Sequence, residues 1–447
     1  MRRVLTLVLL YAAMQLVIPL DTTHGPGSTT LLMFGFLVLA AYTSGELSTL
    51  IRLPKITGYL IAGLLFGPAV MGIVSSASVV ELEPVSRLAV AIIAFMAGAE
   101  LRWSELKERG KTIFAMLTAE LVLSFVAIMM GLWLLRAYVP FLNDVTSSQA
   151  LILCALFASV TVVNSPAVTM ALLAETRARG PVARTTLGIV LVADVVVVLI
   201  FSGVLSLARS VVPAQGGEGA ALSAGMVAWE MLGALLVGAL IGAGVALYMR
   251  FVKRELMLFA IVVAFLGAEI ARMVHVETLL TLLTAGFLVE NTTKTEGREL
   301  LHAMERSSVP IFVVFFALAG ASINMRELAQ LWPLAVAVVV VRAAAIFAGS
   351  HIGARIVRAP DVVRQNVWLG LVAQVGVAIG LASILANAYP SRGREMQTLI
   401  LSVIAINQIA GQILFAIALR RSGELEEGVG APGEEAVGEK SPAPAGS

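Results

Sequence analysis

One acid stands alone in the apolar run LGIVLVADVVVVLIF (187–201). It is Asp194, ten residues after Arg184 and fifteen before Arg209, so it falls near the middle of a stretch suited to a bilayer. A carboxylate at that depth costs about 2.5–3.5 kcal/mol to insert, and residues kept at such a cost carry ions or protons as a rule. The apolar segment before it holds Thr161-Val162-Val163-Asn164-Ser165-Pro166. Pro166 lacks a backbone donor and crowds the preceding turn. Thr161, Asn164 and Ser165 offer side-chain oxygens, and an interrupted helix would free carbonyls to coordinate a cation. A third residue, Arg342, lies sixteen residues after Arg326 and thirteen before Arg355, too deep to reach either surface easily. It needs a buried partner, for which Asp194 and the carbonyls at a helix C-terminus are the candidates. A fourth feature is the run Gln374-Val375-Gly376-Val377-Ala378-Ile379-Gly380. Glycine permits a mid-helix break, so Gln374, Gly376 and Gly380 mark a second broken helix. The acids Glu46, Glu120, Glu230, Glu269 and Glu290 lie nearer span ends and read as structural or facing the interface.

These residues need helices to hold them at depth. Of the 447 residues, 59% are hydrophobic and only 13% charged, with a mean hydropathy of +0.93. No soluble core of this length could be covered by so little polar surface, and the class is all-α polytopic membrane protein. Runs near the 17–25 residues that a crossing needs fall at 4–20, 30–49, 56–73, 85–99, 112–135, 149–174, 185–208, 223–249, 256–271, 277–291, 307–323, 329–354, 365–389 and 396–419. With this count, 22 Lys and Arg lie on the N-terminal side and 7 on the other; the last two are Lys440 and the intramembrane Arg342. Such an asymmetry places both termini in the cytoplasm of an inner (plasma) membrane. Arg2-Arg3 before an apolar run also describes a signal peptide, but no clean small-residue cleavage site precedes Asp21. The expectation is a retained first helix and fourteen spans, or thirteen if it is removed. The domain reading is 1–29 for the N-terminal helix and loop, 30–420 for one transporter domain, and 421–447 for a Gly-, Glu-, Pro- and Ala-rich disordered tail. Fourteen spans divide into two sevens. An odd number per half inverts one half against the other, as in secondary transporters built on inverted repeats with two crossed broken helices.

Several chemistries are absent. There is no G-x-S-x-G, H-E-x-x-H or paired Cys motif, so no enzyme is expected. The single Cys154 excludes an internal disulfide. The four His are scattered, so no metal site is expected beyond the transported ions, and neither a cofactor nor a nucleic-acid partner is implied.

The run Arg52-Leu53-Pro54-Lys55-Ile56-Thr57-Gly58-Tyr59-Leu60-Ile61-Ala62-Gly63-Leu64-Leu65-Phe66-Gly67-Pro68 resembles the signature of the second cation:proton antiporter family. AIIAFMAGAEL (91–101), TVVNSPAVT (161–169), the aspartate at 194 and VPIFVVFFALAGASIN (309–324) are similar to later family segments. The resemblance covers about residues 30–420 and is closest to a Kef-like membrane domain without the nucleotide-binding domain. It implies the sodium/proton antiporter fold, a homodimer with a panel and a moving core, and two broken helices crossing beside the aspartate. Asp194 would bind cation or proton, with Thr161, Asn164 and Ser165 lining the site, and Arg342 matches the family's late basic residue. Two positions depart from the pattern. Ala193 stands where a side-chain ligand usually precedes the aspartate, and Val377 where a Gly-Glu pair is frequent.

The expected activity is exchange of a monovalent cation (Na⁺ or K⁺) for H⁺ through Asp194. One acid and a permanently charged arginine make electroneutral one-for-one exchange the expectation. Two alternatives are a cation-coupled symporter of a small organic solute and a non-transporting sensor on the same fold.

Overall fold

The computed structural model describes residues 26–425 apart from 52, 213–223, 252–254, 294–295, 307, 324, 376 and 390–391, with residues 6–7, 10–12 and 14 before them. The described residues are helical, with no strand among them. The helices are α1 (Pro26–Ser48), α2 (Lys55–Phe66), α3 (Ser76–Glu81), α4 (Glu83–Glu100), α5 (Trp103–Leu134), α6 (Ser147–Thr161), α7 (Pro166–Thr176), α8 (Pro181–Val211), α9 (Ala224–Phe251), α10 (Leu256–Met273), α11 (Thr278–Thr292), α12 (Glu296–Arg306), α13 (Ser308–Ala321), α14 (Met325–Ile356), α15 (Asp361–Gly370), α16 (Val377–Ala388) and α17 (Arg392–Arg421). Among the described residues, thirteen of the fourteen expected crossings coincide with one helix or a broken pair. Eight are long and apolar enough to span a bilayer by themselves, the pair α6–α7 counting as one. The others are shorter, as α2 and α16 are, or carry more charge, as α4 does with Glu83, Arg87 and Glu100. Most of the segment 4–20 lies outside the described residues, as does the whole tail from 426 onward.

Local chemistry explains where the helices start and stop. Thr146 opens α6 with a capping box, its hydroxyl accepting from Gln149 N while Gln149 accepts from the Thr146 backbone. The helix ends at Thr161, and Val162–Ser165 are not helical. Pro166 then takes the first position of α7, where its missing N–H costs nothing, and Ser165 caps it by accepting from Val168 N at 3.3 Å. Pro166 therefore starts a new helix instead of kinking an old one. The matching break runs from Leu371 to Val375, between α15 and α16. These five residues are buried, so their backbone polar groups need partners inside the protein. Gly380 was expected at the break, but it lies inside α16 on an exposed face. Gly376 falls outside the described residues.

Helix α12 was not anticipated. Leu300, Leu301 and Met304 are buried on one side of it, while Arg298, Glu299 and His302 are exposed. That is the pattern of a helix lying along a surface, not across a membrane.

The packing shows the inverted repeat directly. Helix α5 lies against α14, its counterpart seven spans later, and α4 crosses α11 as α13 crosses α2. Both crossings depend on glycine. A Cβ at Gly98 would fall 1.8 Å from the Leu283 carbonyl oxygen, and one at Gly286 would fall 2.1 Å from that of Phe95. The equivalent pair repeats this: Gly63 would meet the Ala317 carbonyl at 2.0 Å and Gly320 that of Leu60 at 2.1 Å. Backbone meets backbone at both crossings, which only residues without side chains allow.

Candidate functional site

The two breaks meet at Arg342. This residue is 1% exposed and lies midway along α14. Its guanidinium donates from Nε to Thr161 O at 2.9 Å, from Nη1 to Val372 O at 2.7 Å, and from Nη2 to Val163 O at 2.9 Å and Leu371 O at 3.3 Å. Nη2 also donates to Asn164 Oδ1 at 2.8 Å. Thr161 and Val163 close the end of α6, and Leu371 and Val372 the end of α15. The C-terminal end of a helix carries about half a negative charge and exposed carbonyls. One cation between two such ends satisfies both. The partner of Arg342 is therefore the carbonyl set and not Asp194.

Gln374 makes a second bridge. Its Nε2 donates to Thr161 O at 2.6 Å and Val163 O at 3.0 Å, and its Oε1 accepts from Asn407 Nδ2 at 2.7 Å. Gln374, from the second break, thus closes the first one and ties both to α17.

The expected oxygen ligands have other duties. The Thr161 hydroxyl donates to Phe157 O at 2.9 Å, Ser165 caps α7 and Asn164 accepts from Arg342. All three are buried, as is Pro166. Asp194 sits apart from them, and neither of its carboxylate oxygens, both buried, has a hydrogen-bond partner among the described residues. They face a cavity of about 20 Å³ lined by Val195 and Val198 of α8, Leu279, Leu280 and Leu283 of α11, Val377 at the start of α16, and Glu277. That volume admits about one water or one bare monovalent cation. So the structure brings Thr161, Asn164, Gln374 and Arg342 into one network and holds Asp194 beside it, linked by no hydrogen bond. Ala193, where the family pattern has a ligand, is a fully buried packing position.

The family model for the transmembrane sodium/hydrogen exchanger matches residues 34–420, most of the chain. The chain belongs to that family. It is a multi-pass membrane protein of the cation:proton antiporter class, and the organic-solute symporter and sensor readings are not favoured. Among curated relatives, the exchanger is 25% identical to the probable Na(+)/H(+) antiporter GerT of Bacillus cereus over 369 residues, which is 78% of this chain and 88% of the relative. It is 31% identical over 90 residues to the Na(+)/H(+)-K(+) antiporter GerN of the same organism, covering 20% of this chain and 23% of that one. Its fold is that of the sodium proton antiporter MjNhaP1 of Methanocaldococcus jannaschii. In two solved structures of that protein the TM-scores are 0.63 and 0.68 at 16% identity, covering 88% of this chain and 96% and 98% of the other.

Two acids of the exchanger escaped the sequence reading. Glu120 is fully buried midway along α5, not near a span end as expected. Its Oε1 accepts from Ser124 at 3.3 Å, and its carboxylate lies close enough to Asn164 and Arg342 to interact with both. A span that runs 28 residues from Lys107 to Leu134 puts Glu120 at mid-depth, and the helix length was the missing signal. The other acid, Glu277, caps α11 by accepting from Leu280 N. It lies five residues after Arg272, at the first position of the expected span 277–291, which made it look like a residue of the span end. Only the fold sets the start of α11 across a cavity from α8 and so brings Glu277 to Asp194.

Proposed function

We propose that this antiporter exchanges one Na⁺ or K⁺ for one H⁺ at Asp194, electroneutrally. The observation that carries the reading is a carboxylate whose oxygens are buried without hydrogen-bond partners, facing a cavity of single-ion size. An ionised carboxylate in that position pays a large desolvation cost. A bound proton or a bound cation removes it, and the two compete for the same oxygens. Either loaded form is neutral and can cross. The empty charged form is penalised, which suppresses uncoupled leak. Thr161, Asn164, Ser165 and the carbonyls of both breaks form the polar network beside this cavity. Arg342 compensates the two helix ends and does not release a proton. The cavity is far below the few hundred Å³ that an organic solute occupies, which supports a bare-ion substrate.

In this reading the transporter domain is residues 30–420, supported by the family match over 34–420, followed by a tail from 421. The Arg-rich side and both termini are cytoplasmic, in the plasma membrane, and the working unit is a homodimer. The exposed apolar side chains of α9 and α10, among them Leu232, Leu236, Leu240, Val262, Phe265 and Leu266, offer a face for lipid or for the second copy.

The test uses purified protein in liposomes with a trapped pH dye. Na⁺, K⁺ or Li⁺ is added in turn to wild type and Asp194→Asn. Dequenching by one or more cations, lost in Asp194→Asn, is the expected result and names the ion. A wild-type response retained in Asp194→Asn would remove Asp194 from the mechanism, and a steady current reversing with the ion gradients would refute electroneutrality.

A further inference from the structure

The helices sort into two groups by what packs against what. In the first, α5 lies on α14 and α6, α6 on α8, and α15 and α16 on α17. In the second, α4 and α9 lie on α11, and α1 and α13 on α2. Asp194 and both breaks belong to the first group. At the Arg-rich side the two groups stand apart. A cavity of about 220 Å³ there is lined by α4, α11 and α12 on one side and by α5, α7 and α8 on the other. A single site that loads ions from both faces needs one group to move against the other, the rigid-body rocking of one bundle on its neighbour. Contacts that bridge the groups then set which state is held.

Glu175 makes such a contact. It is the last residue but one of α7, and its carboxylate reaches the start of α2. Oε1 accepts from Lys55 N at 2.5 Å and Oε2 from Ile56 N at 3.1 Å. These are the first two amides of α2, and they have no local cap, because Pro54 stands before them and makes no side-chain hydrogen bond. On its own helix the carboxylate is misplaced, since the C-terminal end of a helix repels negative charge. On α2 it meets the positive N-terminal end and caps it. Helix α7 thus carries an acid that its own geometry disfavours, and α2 a start that its own sequence leaves open; each is resolved by the other. The Lys55 side chain is engaged within its own group, where it pairs with Glu46 of α1. The bridge is therefore made to backbone.

We propose that Glu175 is a positioning residue of the transport cycle: its carboxylate clamps the group that carries Asp194 to the start of α2, and the clamp opens when Asp194 passes to the other face. Glu175 sets the balance between the two states and not the affinity for the ion. The role in the cycle rests on the reading of exchange at a single site; the clamp itself rests on the packing and the two hydrogen bonds.

The experiment measures spin-label distances in the full chain, reconstituted in lipid. Cys154→Ser removes the one native cysteine, and labels are attached through Ile51→Cys, just before α2, and Ile356→Cys, at the end of α14. Both positions are exposed, one in each group. Glu175→Ala breaks the clamp from one side. Lys55→Pro breaks it from the other, because it deletes a donor amide at a position where proline suits a helix. Pro54, at φ −57° and ψ 147°, already has the extended backbone that a residue before proline needs. Lys55→Ala is the control, losing the same side chain and keeping the amide. The expected result is a shift toward a second distance in Glu175→Ala and Lys55→Pro, changing the ratio of the two populations by about fivefold, the usual worth of a helix cap. Lys55→Ala should stay like the background. Any other pattern, an unchanged distribution in Glu175→Ala above all, overturns the proposal. The distances are read without transport, so exchange that survives Asp194→Asn in liposomes would sink the single-site reading and leave this measurement standing.

Discussion

Arg342→Gln is the sharpest perturbation of this molecule. The guanidinium makes five hydrogen bonds, four to carbonyls at the ends of two broken helices and one to Asn164. Glutamine is shorter and offers two donors, so at least two of the four carbonyls lose their partner. Each orphaned buried acceptor costs about 1–3 kcal/mol. Gln374 still donates to Thr161 O and Val163 O, so the loss concentrates on Leu371 and Val372, which have no such second donor from Gln374. The compensating charge for two helix ends disappears as well, and breaking a buried ionic arrangement from one side typically costs about 3–5 kcal/mol. The two contributions overlap, and the expected total is about 3–5 kcal/mol. Arg342→Lys keeps the charge but replaces a planar fork by a compact ammonium with three donors, so about half that loss is expected. Equilibrium unfolding in mixed micelles measures both, and the liposome dye assay reads exchange in parallel. The expected order is wild type, Lys, then Gln in stability, with exchange lost in Gln. A glutamine variant that unfolds like wild type would refute the argument that Arg342 holds the two breaks together.

Glu277→Gln keeps the cap on α11 but removes the second carboxylate from the cavity of Asp194; the apparent cation affinity in the dye assay should fall by up to about tenfold, the equivalent of ~1.4 kcal/mol, and an unchanged affinity would remove Glu277 from the ion path. Gly98→Ala places a methyl 1.8 Å from the Leu283 carbonyl, forces α4 and α11 apart, and should destabilise by about 1–3 kcal/mol or more; a melt like wild type would show that this crossing yields freely. Glu424→Ala removes the carboxylate that accepts from Val182 N at 2.7 Å and Ala183 N at 2.8 Å at the start of α8. Loss of this cap should cost about 0.5–2 kcal/mol, and a melting temperature at or above that of wild type would contradict it.

The sequence by itself determined the membrane class, the positions of thirteen of the crossings, the inversion of the halves and the first break. These rest on signals local to the chain: apolar runs of bilayer length, the alternation of Arg and Lys between loops, and a proline behind Asn164 and Ser165. The location of the second break was legible from its place seven spans later, although Gly380 proved to lie within α16. Tertiary structure alone decided which polar groups meet. Arg342 could have paired with Asp194 or with helix ends, and only the crossing of α14 over both breaks selects the carbonyls. Glu120 and Glu277 looked ordinary because depth and proximity are properties of the fold, set by how far α5 extends and by the cavity that α8 and the start of α11 line together. A single chain position states what a side chain can do; among the described residues, the carboxylate of Asp194 is left without a hydrogen-bond partner because its cavity is lined by apolar side chains and one other acid.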